Sequence, residues 1–254
     1  MSLVQHLLAS DPASYVRATQ SRFLAAAANG TLHGDVLGRW LANDRLYIHA
    51  YIKGVGRLLD ALDLPDLAAT TTTEPPVTEK LLQWLVDALV NVRREEKFFV
   101  ETAARFGIEV NLPASQDGVA VQEEKLDGLK RFEQLFGGLS KGPEPLGWLE
   151  GAILLYATEK CYLDAWSGAR DGLDASVDGS QDADGGALRE MFIPNWSSDE
   201  FRAFVDELGA IIDQGCEEAV KKGGNGVGKH LQERALGVWR EVVLAEETFW
   251  PVLN

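Results

Sequence analysis

Apolar residues recur every three or four positions through most of the chain, the spacing of amphipathic helices. One stripe is Leu37, Trp40, Leu41, Leu46, Tyr47, Ala50, Tyr51, Val55, Leu58 and Leu59. Another is Leu81, Leu85, Ala88, Leu89 and Val92, continuing to Phe98, Phe99 and Ala103. The pattern predicts helices over 12–28, 34–62, 77–106, 117–138, 144–168, 198–222 and 228–250. No stretch keeps the two-residue alternation of a half-buried strand.

The predicted breaks carry helix-stopping chemistry. Pro65 opens one, and Thr70 to Pro76 continues it. Phe106-Gly107-Ile108 reads as a helix stop with glycine just past the end. Gly137-Gly138 and Lys141-Gly142-Pro143 form the next break. Residues 171–186, rich in Asp and Gly, read as a mobile acidic surface loop. Ser197, with Glu200 three residues on, predicts a capping box at the head of the following helix. None of these breaks is long enough for a domain linker. The expectation is therefore an all-α multi-helix bundle, a single domain over residues 1–254.

Charge narrows the partners. The net charge is −15, and such a surface repels phosphate backbones and anionic lipid heads. Nucleic acid and membrane are thus not expected as partners, and no apolar run approaches a membrane-spanning length. Two cysteines, Cys161 and Cys216, do not make a disulfide framework and fit a reducing compartment. The first 20 residues lack the pattern of a secretory signal. A cytoplasmic location, or a nuclear one, is expected.

Several patterns lead nowhere. Gly223 to His230 nearly matches a phosphate-binding loop, but His230 stands where a hydroxyl should hold Mg²⁺, and a helix precedes it. Asp178, Asp182 and Asp184 fail the spacing of an EF-hand calcium loop. The histidines His6, His33, His49 and His230 form no Glu-x-x-His pair, so the di-iron bundle signature is absent. Cys216 sits beside Glu217 and Glu218, an anionic setting that makes a thiol inert.

One arrangement occurs three times. A carboxylate is followed one turn later, on the same helix face, by aromatic rings. Asp44 precedes Tyr47 and Tyr51; Glu159 precedes Tyr162 and Trp166; Glu246 precedes Phe249 and Trp250. A single triplet is unremarkable in a chain with seven Trp, five Tyr and ten Phe. Three of them, each within an apolar stripe, point to a shared interior site, because buried acids are costly unless they are used or paired. Rings and carboxylates together suit a flat, nitrogen-rich, partly cationic ligand.

The ordered set resembles the TenA (thiaminase-II-like) family. Trp40-Leu-Ala-Asn-Asp44-Arg-Leu-Tyr47 is similar to its aromatic-x-x-x-Asp-x-x-Tyr helix. Glu95-Glu96, on a helix ending at Phe106-Gly107-Ile108, resembles its acidic helix. Phe192-Ile-Pro-Asn-Trp196 resembles its aromatic-x-x-x-Trp turn, and Glu246-Glu-Thr-Phe-Trp250 its C-terminal Glu-x-x-Phe-Trp. The family's catalytic cysteine would fall near Ala157, with Cys161 about one turn further on. That departure resembles a cysteine-less branch, often eukaryotic and fungal-like, with Glu159 as the replacement.

The resemblance implies a haem-oxygenase-like bundle without haem, metal or organic cofactor. The implied activity is hydrolysis of 4-amino-5-aminomethyl-2-methylpyrimidine to the hydroxymethylpyrimidine and ammonia, in salvage of thiamine breakdown products. Hydrolysis of the N-formyl form is implied as an additional step. Asp44 would grip the ring nitrogen and 4-amino group, Glu246 would be the general acid, and Glu159 would activate water. Tyr47, Tyr51 and Tyr162 would orient these groups, with Phe192 and Trp196 as pocket walls. A homo-oligomer, dimer or tetramer, is the expected assembly. The rival readings are a pyrimidine-binding regulatory protein without turnover and a different enzyme on the same bundle.

Overall fold

A computed structural model describes residues 1–64, 66 and 74–253. Ten α-helices follow one another among these residues. They are α1 (Leu3–Ser10), α2 (Pro12–Thr19), α3 (Arg22–Ala28), α4 (Gly34–Asp60), α5 (Val77–Arg105), α6 (Asp127–Gly137), α7 (Leu149–Asp171), α8 (Ile193–Trp196), α9 (Asp199–Gly223) and α10 (Asn225–Glu247). Pro65 and Thr70 to Thr73, expected in a break, lie outside the described residues. No strand occurs among the described residues, only an isolated bridge between Ala114 and Ala120.

The long helices α4, α5 and α9 carry the expected stripes. Helix α7 differs: nearly every residue from Leu149 to Ala157 is buried, so it runs through the middle of the bundle. Its longest contacts are with α9 and α10, and α4 packs on α5 and α6. Trp40 stands at the centre of the core, with Phe23, Trp166, Trp196 and Trp250 rings all within 5.6 Å of it, centroid to centroid.

Local chemistry explains the departures from the expected boundaries. The 12–28 segment is two helices, because Ser21 accepts a hydrogen bond from the Leu24 amide and so starts α3 afresh. Helix α1 was not expected; Ser2 and Gln5 form a capping box at its head. Residues 117–126 hold no α-helix, only a 3-10 turn at Gln122–Glu124. Gly118 (φ 74°) turns the chain, the Ser115 amide donates to Val119, and the Leu126 amide donates to the Asn43 side chain on α4. Helix α6 therefore begins only at Asp127. Ser198, not Ser197, caps α9. Ser197 is fully buried, and its hydroxyl donates to the Ile193 carbonyl.

The α5 stop matches its expectation. Gly107 (φ 69°) follows the cap, and the amides of Gly107 and Ile108 donate to the carbonyls of Ala104 and Ala103. This is the Schellman pattern, which needs a residue at ease in the left-handed region. Gly224 (φ 78°) reverses the chain between α9 and α10, where the phosphate-loop-like sequence lies. The acidic segment 171–186 is anchored at its far end: Asp182 receives Arg189, and buried Asp184 accepts from the amides of Gly186 and Leu188. Asp184 thus starts a π-turn, Leu188–Phe192, that leads into α8 and sets the direction of Trp196.

Candidate active site

A cavity of about 140 Å³ opens between α4, α5, α7 and the start of α9. Cavities of ~150 Å³ hold a single six-membered aromatic ring such as benzene. Its deep part is lined by Asp44, Tyr47, Tyr51, Glu159, Tyr162 and Trp196. Each helix delivers its residues by spacing. Asp44, Tyr47 and Tyr51 lie at i, i+3 and i+7 on α4, and Glu159 and Tyr162 at i and i+3 on α7. Behind the tyrosines, Phe132 and Phe136 of α6 pack edge-on to Tyr47 at 5.0 and 5.8 Å.

Two expected residues stand off the cavity wall. Phe192, expected as a wall, is fully buried and stacks behind Trp196 at 4.8 Å, so it supports the wall without forming it. Glu246 is 3 % exposed and does not line the cavity, but the charges of Asp44 and Glu159 act on it. Cys161 is also absent from the wall. Two residues past Glu159, it lies about 200° further round α7. It is fully buried, and Tyr15 and Asp164 are among the groups that act on its thiol.

The deep part of the site contains one acid, Glu95, that was not among the expected site residues. Glu95 of α5 lines the cavity and accepts three hydrogen bonds. Asn195 Nδ2 donates to both of its oxygens at 3.1 and 2.9 Å, and Trp196 Nε1 donates to Oε1 at 2.6 Å. Its only sequence signal was membership of the Glu95-Glu96 pair. The outer part of the cavity is lined by Asn91, Arg94, Ser198, Glu200, Phe201 and Phe204, none of them an expected site residue. There Arg94 reaches Glu200 at 3.0 Å across the rim, from α5 to α9.

The acids differ in proton affinity. Burial first, and then the charges of Glu95 and Glu159, hold Asp44 well above the ordinary carboxylate range. Among the described hydrogen bonds Asp44 has none, so its carboxyl is free toward the cavity. Burial, then Asp44 and Glu159, push Glu246 up in the same way. Glu159 is raised to about 7 by burial, against the hydrogen bond that Tyr51 Oη donates to its Oε1 at 2.7 Å. Burial also raises Glu95, but its Asn195 and Trp196 donors oppose the shift. Two carboxyls, Asp44 on the cavity wall and Glu246 behind it, are thus held well above the ordinary range, Glu159 is near its midpoint at neutral pH, and Glu95 is raised by burial but restrained by its hydrogen-bond donors and by the charge of Arg94. Among the described residues no group of His, Cys, Asp and Glu is arranged to hold a metal ion. No helix among them is long and apolar enough to cross a membrane.

No family model matches the sequence. One curated relative, a "probable transcription factor" of Fusarium pseudograminearum, is 28 % identical over 240 residues. That match covers 84 % of this chain but 45 % of the relative, so the chain spans about half of the relative's length. Similar solved structures include a TenA homologue from Pyrococcus furiosus, 22 % identical, with a TM-score of 0.69 and 98 % of both chains covered. A TenA family transcription regulator from Silicibacter is 12 % identical with a TM-score of 0.70, covering 98 % of this chain and 94 % of its own. A TenA homologue from P. horikoshii is 14 % identical with a TM-score of 0.61, over 98 % and 99 % of the two chains. What the solved structures share with this chain is the fold.

Proposed function

We propose, on the premise that this chain carries the all-α, haem-oxygenase-like fold of the TenA proteins, that it hydrolyses an aminomethylpyrimidine. The observation that carries this reading is the cavity itself: ring-sized, walled by Tyr47, Tyr51, Tyr162 and Trp196, and edged by carboxyls of unequal proton affinity. A protonated Asp44 offers one donor and one acceptor side by side. The ring nitrogen and 4-amino group of an aminopyrimidine present the complementary pair. The aromatic side chains stack on the ring faces.

The reaction balances without a cofactor. Water adds its oxygen to the exocyclic methylene, the C–N bond breaks with its electron pair going to nitrogen, and ammonia leaves. Glu159, near its midpoint at neutral pH, takes the proton from the attacking water. The departing nitrogen leaves as ammonia with the proton it carries as an ammonium, and Glu246, raised well above the ordinary carboxylate range by burial, stands off the cavity wall and is not placed to protonate it. Tyr51 orients Glu159 through their hydrogen bond, and Tyr47 and Tyr162 bracket the ring. An N-formyl derivative would be a further substrate of the same site.

The test is a side-by-side incubation of aminomethylpyrimidine, its N-formyl derivative and thiamine, followed by chromatography. Accumulation of hydroxymethylpyrimidine from the first supports the reading, and its absence from all three refutes it. A second reading follows from the Fusarium probable transcription factor and the Silicibacter transcription regulator: a pyrimidine-sensing module in a regulatory protein. Calorimetric binding of the pyrimidine without turnover would favour it.

A further inference from the structure

We propose that Glu95 is the subsite for the charged nitrogen of the substrate, and that it makes the site select an ammonium over a neutral group of the same size. The assignment deepens the aminopyrimidine reading and rests on it. Among the cavity acids, Asp44 accepts no hydrogen bond among those described and Glu159 accepts one, from Tyr51. Glu95 accepts three, all from neutral donors that add no positive charge. Protein dipoles therefore replace water around its anionic form, and the charge of Arg94 is the smallest of the influences on it. The one basic side chain on the wall, Arg94, is committed to Glu200 at the rim. A cation entering the slot thus meets a carboxyl whose anionic form is held by three donors and which the cation itself favours.

The wall and the charge are mechanically one unit. Trp196 Nε1 donates to Glu95, while the Trp196 ring faces the cavity and is backed by Phe192. A ring stacked on Trp196 brings its substituent near the carboxylate that fixes the indole. The aminomethyl nitrogen must carry a proton to leave as ammonia. A substrate bound as its ammonium already carries that proton, and the charge of Glu95 keeps it on nitrogen. The substituent of the N-formyl derivative is neutral and gains nothing from Glu95, so it binds less tightly than the amine.

The test compares aminomethylpyrimidine, a cation near neutral pH, with hydroxymethylpyrimidine, its neutral counterpart, by calorimetry on parent protein, Glu95→Gln and Glu95→Asp. Gln keeps an acceptor for Trp196 and an amide group that can pair with Asn195. In the parent the amine should bind about tenfold or more tightly than the alcohol. Glu95→Gln should abolish that preference by weakening the amine alone, and Glu95→Asp should restore part of it. In turnover, Glu95→Gln should raise KM for the amine by about tenfold or more, with a much smaller change in kcat. Equal losses for both ligands would mean that Glu95 only props the wall, and unchanged amine affinity would mean that the charge is not used; either overturns the assignment. If the parent bound neither pyrimidine, the functional reading would fall and this assignment with it.

Discussion

Replacing Glu159 with Gln should stabilise the protein, and by an amount that depends on pH. The carboxyl ordinarily ionises at 4.5 and is held at about 7 in the folded chain. Below pH 4.5 it is protonated in both states and costs nothing. Between 4.5 and 7 the unfolded chain has shed a proton that the folded chain keeps, so stability falls as pH rises. Above 7 the penalty is complete, on the order of 3 kcal/mol. Contact with cavity water reduces this to about 2 kcal/mol. Gln carries no proton and can still accept the hydrogen bond from Tyr51. Urea unfolding followed by tryptophan fluorescence at pH 4.5, 6 and 8 reads the difference. Glu159→Gln should match the parent at pH 4.5 and exceed it by about 2 kcal/mol at pH 8. For a chain of this size the corresponding rise in Tm is about 4–8 °C. A gain of equal size at all three pH values, or none at pH 8, would refute the claim that folding strains this carboxyl.

Other outcomes follow from the packing and the chemistry. Gly128→Ala should destabilise the protein by about 2 kcal/mol or more in thermal unfolding, because its Cβ would stand 2.4 Å from the Ala245 carbonyl and 2.5 Å from the Phe249 amide. A fall in Tm too small to measure would mean that α6 and the end of α10 can part easily. Cys161→Ser should keep hydrolysis within about twofold while losing ~1–2 kcal/mol of stability to a buried hydroxyl; loss of activity without loss of fold would restore the thiol as nucleophile. Ammonia release from aminomethylpyrimidine should far exceed thiazole release from thiamine, whose bulky leaving group needs room beyond a ring-sized slot and which a thiol would displace more readily than water. Equal or faster thiazole release contradicts a water-based mechanism.

The long helices were readable because their signal is local. Apolar stripes at helical spacing put α4 and α5 within two residues of their observed ends. The same spacing placed Asp44 with Tyr47 and Tyr51, and Glu159 with Tyr162, on cavity-facing sides. The segment 117–126 was misread because its fate depends on Asn43, more than 80 residues away, receiving the Leu126 amide. Glu95 was passed over for a similar reason. It sits among Arg93, Arg94, Glu96 and Lys97, which reads as a solvated charged face, and its partner Asn195 lies 100 residues away. Phe192 carries the right residue type, but the π-turn that Asp184 caps puts it one layer behind the wall. By contrast the signal for α1 is local, the capping box of Ser2 and Gln5 within four residues.

In the proposed reaction Glu159 takes a proton from water during C–N hydrolysis. The direct test is the initial rate of ammonia release from aminomethylpyrimidine between pH 5.5 and 8.5, for the parent and for Glu159→Gln. The parental rate should climb with pH as Glu159 ionises and level off above about 7, and the variant should be at least about a hundredfold slower with that limb gone. A parental rate no faster than the uncatalysed reaction, or a variant that keeps both the rate and the limb, would contradict it.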